Sequence, residues 1–173
     1  MSLVISIPRR SLVVLIGLPG SGKSTFARKH FWESSIVSSD ACRRLVSDDE
    51  SNQYAGPYAF AVMEAVVVAR MRLGRLCVID ATNLKQSARK AWLDLARRHG
   101  YPAYAIVLDV SPAICIERDR ARGRRVGTEV IIENTRRMKS ALADLVTEGF
   151  VHAWRLGQDV IDDVRIDVQA REA

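Results

Sequence analysis

Short apolar runs alternate along the chain with longer segments whose apolar positions recur at helical spacing. The runs Leu12–Ile16, Leu76–Asp80 and Tyr104–Asp109 are apolar almost throughout, and Ile36–Ser39 is a weaker example. Runs of this length without polar alternation are typical of parallel strands that are buried on both faces. Because Leu12–Ile16 is the first of these runs, we take it as the first strand of the fold.

The segments between the apolar runs predict helices. Helices are expected over 24–31 and over 58–73, the second with Pro57 in its first turn. Two further stripes at helical spacing lie within 88–96 and 131–145, and each is followed by a glycine. After the last stripe the pattern predicts a strand, a short helix or turn, and an edge strand. This alternation indicates an α/β fold with a mostly parallel central sheet flanked by helices, whose ligands bind beyond the carboxyl ends of the strands.

The segment after the first predicted strand carries a phosphate-binding motif. It reads Gly17-Leu18-Pro19-Gly20-Ser21-Gly22-Lys23-Ser24-Thr25 and matches the P-loop pattern G-x-x-x-x-G-K-[ST]. The glycines let the backbone wrap a polyphosphate with its N–H groups pointing inward. In this pattern Lys23 reaches the β- and γ-phosphates, the Ser24 hydroxyl ligates Mg²⁺, and the helix start faces the anion. A glycine-rich turn that only looks like a P-loop is the alternative.

Polar side chains also follow the other predicted strands. Asp40 comes after the second strand, and Arg43 lies three residues on, so a helix would place both on one face. A carboxylate there could take the proton of an attacking hydroxyl while the arginine grips a phosphate of the same acceptor. The alternatives are a helix N-cap for Asp40 and a surface arginine for Arg43.

Asp80 ends a strand at the Walker-B position, where an aspartate holds Mg²⁺ directly or through water. The alternative is that Asp80 organises its own turn. Thr82 and Asn83 position a substrate or shape the loop.

The positive charge is concentrated in one octet. The net charge is +6 over 173 residues, and residues 118–125 alone contribute +4, from five arginines and one aspartate. At helical spacing Arg118, Arg122 and Arg125 share one side, whereas the other two arginines of the octet point elsewhere. Such a stripe suits a polyphosphate, because the guanidinium fork fits phosphate oxygens. A solvated helix face is the alternative.

Composition indicates a single domain, 1–173, with its own core, because the chain is 48% hydrophobic. The three cysteines lie far apart, in or beside apolar segments, which indicates reduced thiols of a cytoplasmic protein. No apolar stretch approaches the ~18 residues of a membrane span, and Arg9-Arg10 is not followed by a signal-peptide cleavage site. The few aromatic residues do not interleave with the arginines, so a nucleic acid would be gripped only at a terminus.

Four motifs occur here in order: the P-loop, Ser-Asp-x-x-Arg, Asp-Ala-Thr-Asn and the arginine-rich octet. Together they resemble the 5′-hydroxyl polynucleotide kinases, and most closely the kinase module of bacterial polynucleotide kinase-phosphatases of RNA repair. The likeness runs from about residue 11 to residue 149, and its supporting strings lie at 38–43, 45–50, 78–83 and 87–90.

The resemblance implies a P-loop kinase-type sandwich with an arginine-bearing helical lid at approximately 118–145. It implies ATP or another NTP as phosphate donor, Mg²⁺ as cofactor, and the 5′-OH end of RNA or DNA as acceptor, in nucleic-acid end healing and repair. Such modules are often the N-terminal part of a longer repair protein, so fused phosphatase and ligase modules are an expectation too.

The matching positions take their roles from this resemblance. Asp40 looks like the general base for the 5′-OH, and Arg43 looks like the group that holds the acceptor's terminal 3′-phosphate. The donor phosphates and Mg²⁺ fall to Gly20, Ser21, Gly22, Lys23, Ser24 and Thr25, with Asp80 as a second metal residue and Arg118, Arg122 and Arg125 as lid arginines. Arg120 and Arg124 match no position of the family. The other hypotheses are a kinase for a small hydroxylated metabolite or nucleotide sugar, and a non-catalytic NTP-sensing module.

Overall fold

The computed structural model describes residues 3–122 and 126–169, which form seven strands and seven α-helices. In chain order the strands are β1 (Val4–Pro8), β2 (Leu12–Ile16), β3 (Ile36–Ser38), β4 (Cys77–Asp80), β5 (Ala103–Asp109), β6 (His152–Gly157) and β7 (Arg165–Gln169). The helices are α1 (Lys23–His30), α2 (Ser39–Ser47), α3 (Gly56–Arg72), α4 (Gln86–Arg98), α5 (Pro112–Arg120), α6 (Thr128–Asp144) and α7 (Gln158–Ile161).

The central sheet has five strands in the order β3-β4-β2-β5-β6, and every neighbouring pair is parallel. All five side chains of β2 are buried. Leu12, Val14 and Ile16 pack in one core with side chains of α3, α4 and α6, whereas Val13 and Leu15 pack in a second core with side chains of α1. The first apolar run is therefore a parallel strand that is buried on both faces, as expected, and the predicted α/β fold is confirmed.

A second, two-stranded sheet was not expected. β1 precedes β2 and pairs in parallel with β7, from Val4 opposite Arg165 to Pro8 opposite Gln169. The expectation that Leu12–Ile16 is the first strand is therefore wrong. In β1 exposed and buried positions alternate, and Ile5 and Ile7 lie in the same core as α1. Such a half-exposed strand gives a weaker signal than a fully apolar run, and its partner lies at the far end of the sequence.

The strands of the central sheet bring their carboxyl ends to one edge. The P-loop follows β2, α2 follows β3, and Asp80 and Asp109 end β4 and β5. The three cysteines are buried with free thiols, as expected. Within residues 3–122 and 126–169, no helix has both the length and the apolar character needed to cross a membrane.

Candidate active site

The P-loop packs tightly between β5 and α5, and its glycines make this possible. A Cβ on Gly17 would lie 2.7 Å from Ser21 Oγ and 2.9 Å from the Leu108 carbonyl oxygen. Gly20 has φ +84°, and a Cβ there would lie 2.5 Å from the Cys115 carbonyl oxygen in α5. Any side chain at these positions would push the loop away from its supports. The packing of the loop therefore requires glycine at both positions.

Lys23 lies at the start of α1 and is 8% exposed. Its Nζ donates hydrogen bonds to the carbonyl oxygens of Gly17 (2.9 Å) and Leu18 (2.8 Å) and approaches Ser21 Oγ at 3.3 Å. Burial lowers the pKa of Lys23 to about 8, and the positive charge of Arg122 acts in the same direction, against the opposing effect of nearby carboxylates. The ammonium group is therefore held in place inside the loop, and it loses its proton at a lower pH than an exposed lysine does.

Asp80 faces α1 from the end of β4. Asp80 is 6% exposed. Burial raises its pKa, while interactions with the Ser24 side chain and with the charge of Lys23 lower it. Asp80 therefore lies beside the P-loop helix, as a Walker-B position requires, and its role in holding Mg²⁺ stays a prediction.

The Ser24 hydroxyl and the Asp80 carboxylate suit Mg²⁺, a hard cation that takes oxygen ligands. A buried carboxylate also gains from a bound cation, because burial penalises its negative charge. Among the described residues no group of three or more His, Cys, Asp or Glu side chains is arranged to hold a metal. One carboxylate and one hydroxyl are compatible with Mg²⁺ in a kinase site, where waters and substrate phosphates complete the coordination.

Asp40 and Arg43 lie on α2 beside this centre. Arg43 Nη2 donates to Asp40 Oδ1, and its Nε donates to the Glu50 carbonyl oxygen at 3.0 Å. The negative charge of Asp40 contributes to the pKa values of both Lys23 and Asp80, so this carboxylate lies within electrostatic reach of the P-loop.

The structure contradicts one alternative for each of these two residues, and their roles in catalysis and binding stay predictions. Ser38 caps α2 by accepting from the Ala41 N–H, so the interpretation of Asp40 as the helix N-cap is wrong. The side chain of Arg43 is 17% exposed, so it is not an ordinary surface arginine. The predicted spacing on one helix face is confirmed by the ion pair between them.

The arginine-rich octet begins on α5, but the helix is shorter than the predicted stripe. Arg118 Nη1 lies 3.4 Å from the Ser21 carbonyl oxygen and 3.5 Å from that of Gly20. Because α5 ends at Arg120, Arg122 follows in a turn and is not on the helix face assumed for it. Its charge nevertheless acts on Lys23. Arg125, the third residue of the predicted stripe, lies outside the described residues.

The loop after Asp80 is tied to the P-loop strand. Asn83, with φ +49° and 4% exposure, donates from Nδ2 to the Leu15 carbonyl oxygen at 2.7 Å. The Thr82 carbonyl oxygen accepts from the Gly17 N–H at 3.1 Å. Of the two interpretations of this loop, the buried Asn83 supports loop shaping, whereas the exposed side chain of Thr82 leaves both open.

A buried ion pair supports the same loop and had no role in the sequence interpretation. Arg89 is 1% exposed and binds both carboxylate oxygens of Glu148, at 2.8 and 2.6 Å. Its Nη1 donates to the carbonyl oxygens of Asn83 (3.0 Å) and Leu84 (2.8 Å). Arg89 lies within one of the strings that carry the resemblance, but nothing in the sequence joins it to Glu148, 59 residues away.

The fold and the arrangement around Lys23 define a P-loop nucleotide-binding domain of the kinase type. A family model described as AAA domain matches residues 12–145, so the chain belongs to this family. The kinase class predicted from the motifs is confirmed, whereas the acceptor stays a prediction.

Two solved structures have a similar fold over most of this chain. A chain in the structure of the Pnkp1/Rnl/Hen1 RNA repair complex has a TM-score of 0.69 and 22% identity, over 80% of this chain and 47% of that one. A gluconokinase from Sinorhizobium meliloti 1021 has a TM-score of 0.57 and 15% identity, over 91% and 90%. At these identities the two structures establish the fold alone.

The transcription factor bHLH140 of Arabidopsis thaliana is 30% identical over 146 residues. This match covers 82% of the chain but only 15% of the relative, so the chain spans a small part of that protein's length.

Proposed function

We propose that this domain transfers the γ-phosphate of ATP or another NTP to the 5′-OH end of RNA or DNA. The observation that carries the proposal is the Asp40–Arg43 pair, which lies on α2 within electrostatic reach of Lys23 and Asp80. It supplies a proton acceptor and a phosphate-binding cation on the acceptor side of a nucleotide site. The RNA repair complex among the structural neighbours supports a nucleic-acid acceptor.

On this proposal the donor half of the site is the P-loop. Its backbone N–H groups and Lys23 hold the β- and γ-phosphates, and Arg118 on α5 and Arg122 in the turn after it approach them. Ser24 and Asp80 would hold Mg²⁺, which supplies charge neutralisation at the phosphate oxygens when bound. The segment 118–145 would act as the lid. Phosphoryl transfer needs in-line positioning and charge neutralisation more than covalent help, and these groups provide both.

The acceptor half orients the attacking hydroxyl. Arg43 would leave Asp40 to bind the 3′-phosphate of the terminal nucleotide, because a guanidinium binds phosphate through paired N–H groups. Asp40 would then accept a hydrogen bond from the 5′-OH. As the 5′-oxygen bonds to the γ-phosphorus, the bond from that phosphorus to the β–γ bridging oxygen breaks. The electron pair leaves with the nucleoside diphosphate, and the 5′-OH proton passes to the Asp40 carboxylate.

The proposal is tested with a γ-labelled ATP, Mg²⁺ and a 5′-OH oligonucleotide bearing internal phosphates. Asp40→Asn should lower the transfer rate by about 10² to 10⁴ and leave the Kd for ATP within about twofold. Asp48→Asn is the matched control, because it makes the same chemical change at the exposed C-cap of α2, where the φ of +58° suits asparagine. Wild-type protein without labelled product, or normal turnover in Asp40→Asn, would refute it.

A kinase for a small hydroxylated metabolite is the second candidate. The gluconokinase supports it, since that match covers about nine-tenths of both chains. Salt separates the two functions. The KM for an oligonucleotide that contacts several phosphates should rise steeply between about 50 and 200 mM salt, whereas the KM for a neutral sugar should change little.

A further inference from the structure

Asp119 occupies an unusual place for a carboxylate. It is the second-to-last residue of α5 and is 2% exposed. Negative charge near a helix C-terminus is opposed by the helix dipole, and burial of a carboxylate is costly unless hydrogen bonds compensate for it. Its position therefore requires specific partners.

Two of those partners are backbone groups that lie beyond the arginines. Asp119 Oδ1 accepts from the Val126 N–H and Oδ2 accepts from the Gly127 N–H, both at 2.9 Å. Gly127 has φ +103° and leads directly into α6. The carboxylate thus ties the backbone just before α6 to the end of α5.

The end of α5 that carries Asp119 lies next to the P-loop. Arg118 immediately precedes Asp119, and its Nη1 lies 3.4 and 3.5 Å from two P-loop carbonyl oxygens. Arg122 follows the end of α5, and its charge acts on Lys23. Both arginines therefore lie within three residues of Asp119.

We propose that Asp119 is a positioning residue for the donor-binding arginines: its carboxylate clamps the backbone at 126–127 so that Arg118 and Arg122 face the nucleotide phosphates. This inference rests on the part of the proposed function that assigns these arginines to the NTP. It does not depend on which acceptor the domain uses.

The test compares Asp119→Asn with Glu117→Gln, which removes an equivalent charge from an exposed position of α5. In Asp119→Asn one acceptor oxygen becomes an NH₂ group facing a backbone N–H. The Kd for ATP, measured without acceptor and well below the melting temperature, should rise about tenfold or more, because misplaced phosphate ligands are costly. The KM for the oligonucleotide should stay within about twofold. Glu117→Gln should match wild type in both.

A double-mutant cycle separates positioning from a general loss of structure. If Asp119 acts through the arginines, Asp119→Asn should have little further effect on ATP affinity in an Arg118→Ala/Arg122→Ala background. Full additivity, or an unchanged Kd in folded Asp119→Asn, would overturn the proposal.

Amide hydrogen exchange on the wild-type protein provides evidence even where Asp119→Asn does not fold. The N–H groups of Val126 and Gly127 should exchange more slowly than those of an unstructured peptide; unprotected exchange at both would overturn the clamp. Absence of ATP binding in wild-type protein would overturn both proposals, whereas ATP binding without transfer to a 5′-OH end would overturn only the assignment of the acceptor.

Discussion

The buried ammonium of Lys23 predicts that nucleotide affinity falls as the solution becomes alkaline. Burial lowers the pKa of Lys23 from its ordinary value of 10.5 to about 8 in the ligand-free domain. A bound triphosphate brings negative charge to the ammonium and raises that pKa again. Binding of ATP is therefore coupled to the uptake of a proton whenever the free domain has lost it.

The size of the effect follows from the two pKa values. With a pKa of about 8, about nine-tenths of Lys23 is protonated at pH 7 and about one-tenth at pH 9. If the charged form binds the phosphates, the Kd for ATP should rise about tenfold between pH 7 and pH 9. The tenfold change in Kd corresponds to about 1.4 kcal/mol, whereas the whole pKa shift of Lys23, from 10.5 to about 8, corresponds to about 3 kcal/mol.

The sign for stability follows from the same shift. Between pH 8 and 10.5 the unfolded chain binds more protons at Lys23 than the folded domain does. Its burial therefore opposes folding below pH 8, and the stability of the wild type relative to Lys23→Met should increase as the pH rises through this window.

Isothermal titration calorimetry in two buffers of different ionisation enthalpy measures the coupling directly. At pH 8 the wild type should take up about half a proton on binding ATP. Lys29→Met is the matched control, because Lys29 is an exposed lysine of the same helix and its loss should leave the pH profile unchanged. A wild-type Kd that stays constant from pH 7 to pH 9 would refute the reasoning.

Two further predictions concern packing around the site. Gly20→Ala should destabilise the domain by about 1–3 kcal/mol and weaken ATP binding, because its Cβ would lie 2.5 Å from a backbone oxygen of α5. Gly74→Ala is the control: it also has a positive φ but no neighbours within 4 Å, so it should show the backbone strain alone and retain ATP affinity. Equal ATP affinity in both variants would contradict this prediction. Arg89→Ala should lower the free energy of unfolding by about 3–5 kcal/mol, because it leaves Glu148 buried without its partner. Lys90→Ala breaks an exposed pair and should lower the free energy of unfolding by less than about 1 kcal/mol. Urea denaturation measures both losses, and equal losses would contradict the prediction.

The sequence predicted the elements whose signal is local. β2 is apolar throughout, and β4 and β5 are apolar up to the aspartate that ends each, because these strands lie in the middle of a sheet with helices on both sides. Such runs are visible without knowledge of their partners. The P-loop motif is equally local, because its fixed residues lie within one short segment, although the close contacts of Gly17 and Gly20 with β5 and α5 are not visible in it. The spacing of Asp40 and Arg43 was also enough to predict that they share one helix face, since both lie on α2.

The remaining features depend on contacts between distant segments. β1 pairs with a strand about 160 residues away, and Arg89 pairs with a glutamate that follows α6. The prediction of one arginine stripe assumed that the helix continues, whereas α5 ends at Arg120 and Asp119 accepts hydrogen bonds from the backbone just before α6. Nothing in local periodicity shows that one aspartate among five arginines is buried, because its partners are backbone N–H groups.

The two arginine–carboxylate pairs near the site differ in a way that suits their proposed roles. Arg89 and Glu148 are 1% and 8% exposed, so separating them is costly, and they fix the loop that supports the P-loop. Asp40 is 48% exposed, whereas its partner Arg43 is 17% exposed. Water can solvate the Asp40 carboxylate once the pair opens, so separating it costs less than separating a pair that is buried on both sides. A phosphate group binds a guanidinium through charge-assisted bonds of the same kind, so it can take the place of the carboxylate on Arg43. On the proposed mechanism the arrival of the acceptor phosphate therefore turns Asp40 toward the 5′-OH, and the exposure of Asp40 permits the exchange.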